Sequence, residues 1–448
     1  MLGMASSPLH VIWVFGDQHR AQALSCAGDP NVHTPNIDRL ATEGVYFTQA
    51  VMGTPLCCPC RGSLLTGEYP HRAVPGHECR LSPELPTIGS RVVEAGHEAA
   101  WFGKWHVDGF RESEGRAALH TVPRERRGGF STWRGYENNN APFDSWVHGH
   151  EGGEEIPHQK LPGFESDALT DHLIAWLEKR PSGGAPFFAG LSVQPPHDPY
   201  IAPEEWMQKH SPAEVSLRPN VPDIPAVKAQ ARRQLAGYSA MIENLDWNVG
   251  RILEALDRLG LKDSTAILFF SDHGDMHGSH GRWLKLNPYE EVIRVPMIFY
   301  APQNYNYSYT RLNRTSQLVN HVDLVPTTLG LMGLEPDGTL PGTDFSPVLK
   351  GRQIPDKAPK SAYLQNVIPT GHSHSDDLPW RGVVTEDGWK YVAFEGAPYM
   401  LFNLSEDPYE QVNLCTVAKY RDKRRELQKL LAEWVEKTGD DFPVWVDA

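Results

Sequence analysis

A chain of 448 residues, 40% hydrophobic and 22% charged, has the composition of a folded globular protein and the length for one large domain with a smaller one. Its formal net charge of −14 excludes the clustered-cation face of a nucleic-acid binder, so an anionic ligand must be drawn by local positive charge. No apolar stretch reaches membrane-span length. The six cysteines form no disulfide framework and Met1–Pro8 shows no basic-then-apolar leader, so the expected location is cytoplasmic.

The first element is the apolar run Val11–Phe15, which reads as a buried parallel strand delivering Asp17 and Gln18 at its carboxyl end. An aspartate there is, taken alone, more often a turn residue or cap than a ligand. Thr34 and Pro35 open a helix that Gly44 stops, and Val45–Phe47 starts a strand. Next comes Cys57-Cys58-Pro59-Cys60-Arg61, from which a helix starting near Pro59 would aim its N–H groups at Cys57. A zinc site is the blander reading. Cys-Cys-Pro-Cys lacks paired two-residue spacing, with only His71 and Cys79 nearby, so buried, inert thiols suit Cys58 and Cys60 better.

Pro86 and Thr87 open a helix over Ile88–Ala95 that Gly96 closes, and Ala99–Gly103 reads as a strand that delivers Lys104 and His106. Positions 108 to about 165 show little periodicity and are expected as long loops at the pocket mouth, Asn138–Asn140 and His148–His150 among them. A helix from about Asp167 to Lys179 and a strand over Pro186–Val193 follow, leading to His197. The stripe Leu235, Tyr238, Ile242, Leu245, Val249 predicts a packing helix over 228–259. Thr265–Phe270 is the clearest strand, ending in Ser271-Asp272-His273-Gly274-Asp275, with Lys285 beyond. Val295–Tyr300 adds a strand and Val322–Thr327 starts another helix.

Alternating strands and helices predict an α/β fold, a mostly parallel sheet flanked by helices, over residues 1–357. From 358 to 448 the pattern predicts a smaller α+β unit, with short antiparallel strands over 380–384, 389–394 and 399–403 and a helix over 420–437. Asn306 and Asn313 lie in glycosylation sequons, a pattern common by chance and without meaning in a cytoplasmic protein.

The strand ends bring together two kinds of group. Asp17, Gln18, Asp272 and His273 offer mainly hard oxygen donors with one imidazole, which suits Ca²⁺, with Mn²⁺ or Mg²⁺ as alternatives. Arg61, Lys104, His106, His197 and Lys285 supply the cations and imidazoles that a tetrahedral oxyanion ester demands. Each alone is more often a salt bridge or a satisfied histidine; together they favour a site. Trp133, Trp146, Trp283 and Trp380, with the run from His372 through His374 to Asp377, are candidates to line a sugar subsite, although aromatics are more often core. Asp376 and Arg381 are candidates to reach the substrate from the smaller unit.

Cys57-x-Pro59-x-Arg61 followed by Leu65-Thr66-Gly67 resembles the signature of the type I sulfatases of the alkaline phosphatase superfamily. Thr34-Pro35-Asn36-Ile37-Asp38, Asp17-Gln18, Ser271–Asp275 and the segment Leu401–Glu410 extend the resemblance over nearly the whole chain, close to choline sulfatase and the phosphonate monoester hydrolases. Serine or alanine usually stands where this chain has Cys60. The resemblance implies that Cys57 is converted by a formylglycine-generating enzyme to 3-oxoalanine (formylglycine), whose hydrated form attacks sulfur while also binding the metal. It further implies that Arg61 orients that group and that Lys104, His197 and Lys285 grip the sulfate, His197 or Lys285 protonating the leaving oxygen. His106 would take the proton that expels sulfate. The implied substrate is a small sulfate ester, with a sulfated carbohydrate favoured. Lys104-Trp105-His106 weighs against the alternative, a phosphonate monoester or phosphodiester hydrolase; a non-catalytic binder of a sulfated ligand is a third reading.

Overall fold

The structure, a computed structural model, describes residues 8–302, 314–336, 338–349, 354–355, 357–372 and 375–446. Asn306, Asn313, Ser373 and His374 lie outside the described residues. The strands, in chain order, are β1 (His10–Gly16), β2 (Val45–Val51), β3 (Glu98–Lys104), β4 (Thr132–Tyr136), β5 (Trp146–Glu151), β6 (Glu154–Lys160), β7 (Phe187–Val193), β8 (Thr265–Ser271), β9 (Met297–Tyr300), β10 (Arg314–Asn320), β11 (Ser361–Asn366), β12 (Trp380–Thr385), β13 (Trp389–Phe394) and β14 (Ala397–Asn403).

The first ten strands form one sheet in the order β10-β2-β9-β8-β1-β7-β3-β4-β5-β6. Its centre, β8-β1-β7-β3-β4, is parallel, while β9, β5 and β6 pair antiparallel. β1, β7 and β8 are buried along their whole length, as their continuous apolar runs require. Alternation along β1 sends Val11, Trp13 and Phe15 into one core with Leu64 and Leu65 of the helix Cys57–Thr66, and Ile12 and Val14 into the opposite core. Among the second core's members are residues of the helices Pro35–Glu43, Glu165–Leu177 and Pro225–Arg258.

The register aligns the ends of the four central strands. Gly16 pairs with both Val193 and Ser271, and Gly103 pairs with Ser192, so the residues that leave β1, β7, β8 and β3 emerge at one level. Gly103 has φ +101°, and a Cβ there would lie 2.1 Å from the Ser192 carbonyl oxygen, so a side chain would wedge β3 from β7 just before Lys104.

β11-β12-β13-β14 form a separate antiparallel sheet. One face packs Tyr363, Val383 and Tyr391 against Leu427, Leu431 and Trp434 of the helix Arg421–Thr438. The other lays Leu364, Trp380 and Val392 against Val51, Ile293 and Leu318 of the main body. No described helix is long and apolar enough to cross a membrane.

Several expectations are corrected. The stretch 108–165 is not all loop: β4, β5 and β6 extend the main sheet, and β6 is almost wholly exposed, so no apolar alternation marks it. Trp133 and Trp380 are fully buried core residues and line no sugar site. Arg381 does not reach substrate. It is 2% exposed, donates from Nε to Asp440 Oδ2 at 2.6 Å and from Nη2 to Asp440 Oδ1 at 2.9 Å, and spends Nη1 on the Asn366 carbonyl. Burial works against ionisation of Asp440, but Arg381 and Tyr363 outweigh it and hold its carboxyl at about 2. Being below the unfolded value of about 3.9, that pKa gives stability that is complete above about pH 5 and lost as pH falls towards 2. Asp440→Asn should therefore lower unfolding free energy by about 3–5 kcal/mol at neutral pH, and urea titrations at successive pH values should show the gap from wild type narrowing below about pH 4. A gap independent of pH would remove the ion pair as its cause.

Candidate active site

The helix Cys57–Thr66 starts two residues earlier than expected, with extended Leu56 as its N-cap and the first turn closed by Cys60 N–H donating to the Leu56 carbonyl at 3.0 Å. Pro59 falls within the first turn, where its missing N–H costs nothing. Cys57 is thereby buried at the helix start, facing the ends of β1 and β8. Its sulfur lies 3.5 Å from Asp17 Oδ1 and 3.1 Å from His273 Nε2. His273 Nε2 is 3.5 Å from Asp17 Oδ1 and 3.9 Å from Asp272 Oδ1. Donors bound to a cation at about 2.3 Å stand about 3.3–3.8 Å apart, and these separations, from 3.1 to 3.9 Å, straddle that range.

The donors are individually aimed. His273 Nδ1 lies 3.0 Å from the Gly274 carbonyl, which makes Nδ1 the donor and leaves the Nε2 lone pair for the cluster. Asp272 Oδ1 accepts from the Gln18 and His273 amides. Gln18 has φ +69°, a costly conformation for a residue with a Cβ, maintained by the Tyr238 hydroxyl donating to its carbonyl at 2.8 Å. Its Nε2 donates to Asp275 Oδ2 at 2.5 Å, and Oε1 is buried without a hydrogen-bond partner. That orphaned acceptor beside two buried carboxylates fits a divalent cation held by Asp17, Gln18, Asp272 and His273.

One guanidinium ties these strand ends together. Arg61 donates from Nη2 to Asp17 Oδ2 at 3.1 Å, from Nε to Asp272 Oδ2 at 3.1 Å, and from Nη1 to Ser192 Oγ at 2.8 Å and the Lys104 carbonyl at 3.1 Å. The partners stand at the ends of β1, β8, β7 and β3. Arg61 thus acts on the carboxylates, a positioning role. Burial and Cys57 both act to raise Asp17, but Lys104, His197 and Arg61 hold it well below the usual carboxylate range; burial and Asp17 push Asp272 up.

The cations complete the pocket. Lys104 Nζ is 2.7 Å from Asp17 Oδ2, and Lys285 Nζ donates to Cys57 Sγ at 2.9 Å and to His197 Nε2 at 3.0 Å. Burial alone would raise the Cys57 thiol, yet Lys285, Lys104 and His273 bring it well below its ordinary value. Burial, reinforced by Lys104, pushes His106 down to about 3, so its imidazole is neutral at neutral pH. Cys58 and Cys60 are buried with thiols raised well above the ordinary range, chiefly by burial.

Asp376, expected to reach the substrate, has no free oxygen: Oδ1 accepts from Arg282 at 2.9 Å and Oδ2 from the Tyr399 hydroxyl at 2.8 Å. It braces the loop that carries Lys285. Sequence reasoning missed Ser192, whose signal is a lone hydroxyl inside an apolar strand, and the Tyr200–Asp275 pair that orients Gln18, with Tyr200 donating at 2.6 Å. It gave Tyr238 only a packing role.

The sulfatase family model matches residues 10–334. The chain belongs to the sulfatase family. A second model, N-sulphoglucosamine sulphohydrolase, C-terminal, matches residues 278–437 of this sulfatase. The sulfatase is 33% identical to the ulvan-active sulfatase of Formosa agariphila, covering 97% of this chain and 82% of that protein. To the endo-4-O-sulfatase of Bacteroides thetaiotaomicron it is 30% identical, over 90% and 87% of the two chains. A solved structure from Bacteroides fragilis, of the yidJ protein described as a sulfatase, superposes with a TM-score of 0.85 at 25% identity, covering 100% of this chain and 99% of that one. The sulfatase is accordingly a sulfuric ester hydrolase of the alkaline phosphatase superfamily.

Proposed function

We propose that this sulfatase hydrolyses a sulfate ester of a carbohydrate, with residue 57 converted from cysteine to formylglycine by a formylglycine-generating enzyme, and with a divalent cation, Ca²⁺ first, on Asp17, Gln18, Asp272 and His273. The observation that carries the reading is the position of Cys57, where the oxygen-rich donor set meets Lys285, Lys104 and His106. A thiolate gains little from a hard cation, whereas an oxygen at residue 57 would suit one, so the Cys57 sulfur is taken to stand in for an oxygen of the converted residue. When present, the cation supplies Lewis acidity and the formylglycine a hydrated aldehyde as oxygen nucleophile.

The chain's own groups do the rest. Lys285 and Lys104, both sealed from solvent, meet the charge on sulfate oxygens where it is worth most. His197 Nδ1 donates to the Asp198 carbonyl at 2.7 Å, which leaves Nε2 to exchange a proton with Lys285 and so to the leaving oxygen. His106, neutral at working pH, accepts the proton whose removal expels sulfate. The substrate class draws support from a relative named for ulvan.

Peptide mass spectrometry over residue 57 should show the mass lost when a thiol side chain becomes an aldehyde. Chelation should abolish aryl-sulfate turnover and Ca²⁺ should restore it. Matched sulfate and phosphonate esters should show higher kcat/KM on sulfate, with sulfated sugars the best of a panel. An unconverted but fully active enzyme, or a phosphonate preference, would overturn the reading.

A further inference from the structure

We infer that the sulfatase carries a second metal site, for a soft divalent cation such as Zn²⁺, formed by Cys58, His77 and His106 beside the active site. One donor atom from each of the three lies within 4.8 Å of the others. Cys58 Sγ and His77 Nδ1 stand 3.7 Å apart. Zinc bound tetrahedrally at about 2.3 Å from sulfur and about 2.05 Å from nitrogen sets those two donors about 3.6 Å apart, so this edge of the site is already formed. His106 is 4% exposed, and its Nδ1 is buried without a hydrogen-bond partner. An unmet nitrogen in a sealed position is costly unless something binds it.

The surroundings supply what such a site needs. His77 has 24% of its side chain exposed, so an ion has an entry path and a water can take the fourth position. Its far nitrogen, Nε2, faces Glu78 Oε1 at 3.8 Å, the carboxylate that habitually stands behind a metal-bound imidazole. The donor set of one sulfur and two imidazoles selects zinc-like ions and rejects Ca²⁺ and Mg²⁺, whereas the Asp17–Asp272 set prefers the opposite, so two different ions can be held side by side. Binding is a substitution without redox change: the Cys58 S–H proton leaves to solvent as the S–Zn bond forms. The sequence spacing hides this site, because the cysteine-rich run finds its partners in His77 and His106. His71 is engaged with Gln365 and the Thr438 carbonyl.

Zinc on His106 would occupy the ring that the proposed function uses as base, so the site is inhibitory and reversible; this consequence, unlike the binding itself, rests on that proposed role. Two measurements separate them. In the Cys57→Ala chain with excess Ca²⁺, one equivalent of Co²⁺ should give a thiolate-to-cobalt charge-transfer band that disappears when Cys58→Ser is added. In the mature enzyme, micromolar Zn²⁺ should inhibit aryl-sulfate turnover. His77→Ala, with basal turnover retained, should need at least ~10-fold more Zn²⁺ for half-inhibition. A band that persists without Cys58, or zinc inhibition that occurs equally in His77→Ala and wild type, would overturn the site. A Cys58-dependent band with no inhibition upholds the site and overturns His106 as the base.

Discussion

Cys57→Ala should reduce aryl-sulfate turnover to background, a loss of roughly 10⁶-fold in kcat of the size seen when a covalent nucleophile is deleted, while leaving the fold intact. The two halves follow from different contacts. Catalytically, the residue at 57 is where Lys285 Nζ and His273 Nε2 both arrive, at 2.9 and 3.1 Å, so its removal leaves those groups aimed at nothing. Structurally, the sulfur is a small group buried among cations, and alanine keeps the helix backbone and the apolar contacts of Leu64 and Leu65 with Val11, Trp13 and Phe15. Ca²⁺ affinity should fall only modestly, because Asp17, Gln18, Asp272 and His273 remain. Single-turnover assay, calcium titration and thermal melting test the three statements on one preparation. Residual turnover within 10-fold of wild type would show that position 57 is not the nucleophile.

Which parts of this were legible in the sequence follows from what burial does to residue choice. β1, β7 and β8 are covered on both faces, so each is a mainly apolar run, and the polar residues in the short segments just beyond are conspicuous: Asp17, His197 and Asp272 were readable for that reason. β6 lies at a solvated sheet edge with Glu154, Glu155, Gln159 and Lys160 exposed, and its residues carry no period that separates strand from loop. Partner choice is also invisible to spacing. Arg381 resembled a substrate-binding arginine until its bidentate partner, Asp440, came to it from 59 residues away. The second cation site escaped for the same reason, since His106 reaches Cys58 only because β3 ends beside the helix Cys57–Thr66. Arg61 was legible as a fixed charge near Cys57, but its attachments were not, because they depend on four strand ends meeting at one level.

Those attachments set the other large effect. Arg61→Lys should lower the free energy of unfolding by about 3–5 kcal/mol, the cost of disrupting a buried ion-pair network, although the charge is kept. An ammonium is a single point, whereas the guanidinium fork contacts Asp17, Asp272, Ser192 Oγ and the Lys104 carbonyl at once, at 2.8–3.1 Å. A lysine at 61 can satisfy one carboxylate and strands the other groups in a site closed to water, at about 1–3 kcal/mol for each buried group left unpaired. The loss should exceed that of Ser192→Ala, which removes a single contact. Turnover should fall further than stability alone requires: with Asp17 and Asp272 released from their common tether, Ca²⁺ should bind more weakly, and saturating Ca²⁺ should recover only part of kcat. A displacement of about 1 Å in the reacting groups costs about 10²-fold, which is the residual deficit expected at saturating Ca²⁺. Urea unfolding with and without Ca²⁺, beside kcat as a function of Ca²⁺, separates the two contributions. Full recovery of kcat by Ca²⁺ would reduce Arg61 to a metal-affinity residue, and an unchanged unfolding midpoint would mean that the strand ends hold their level without it.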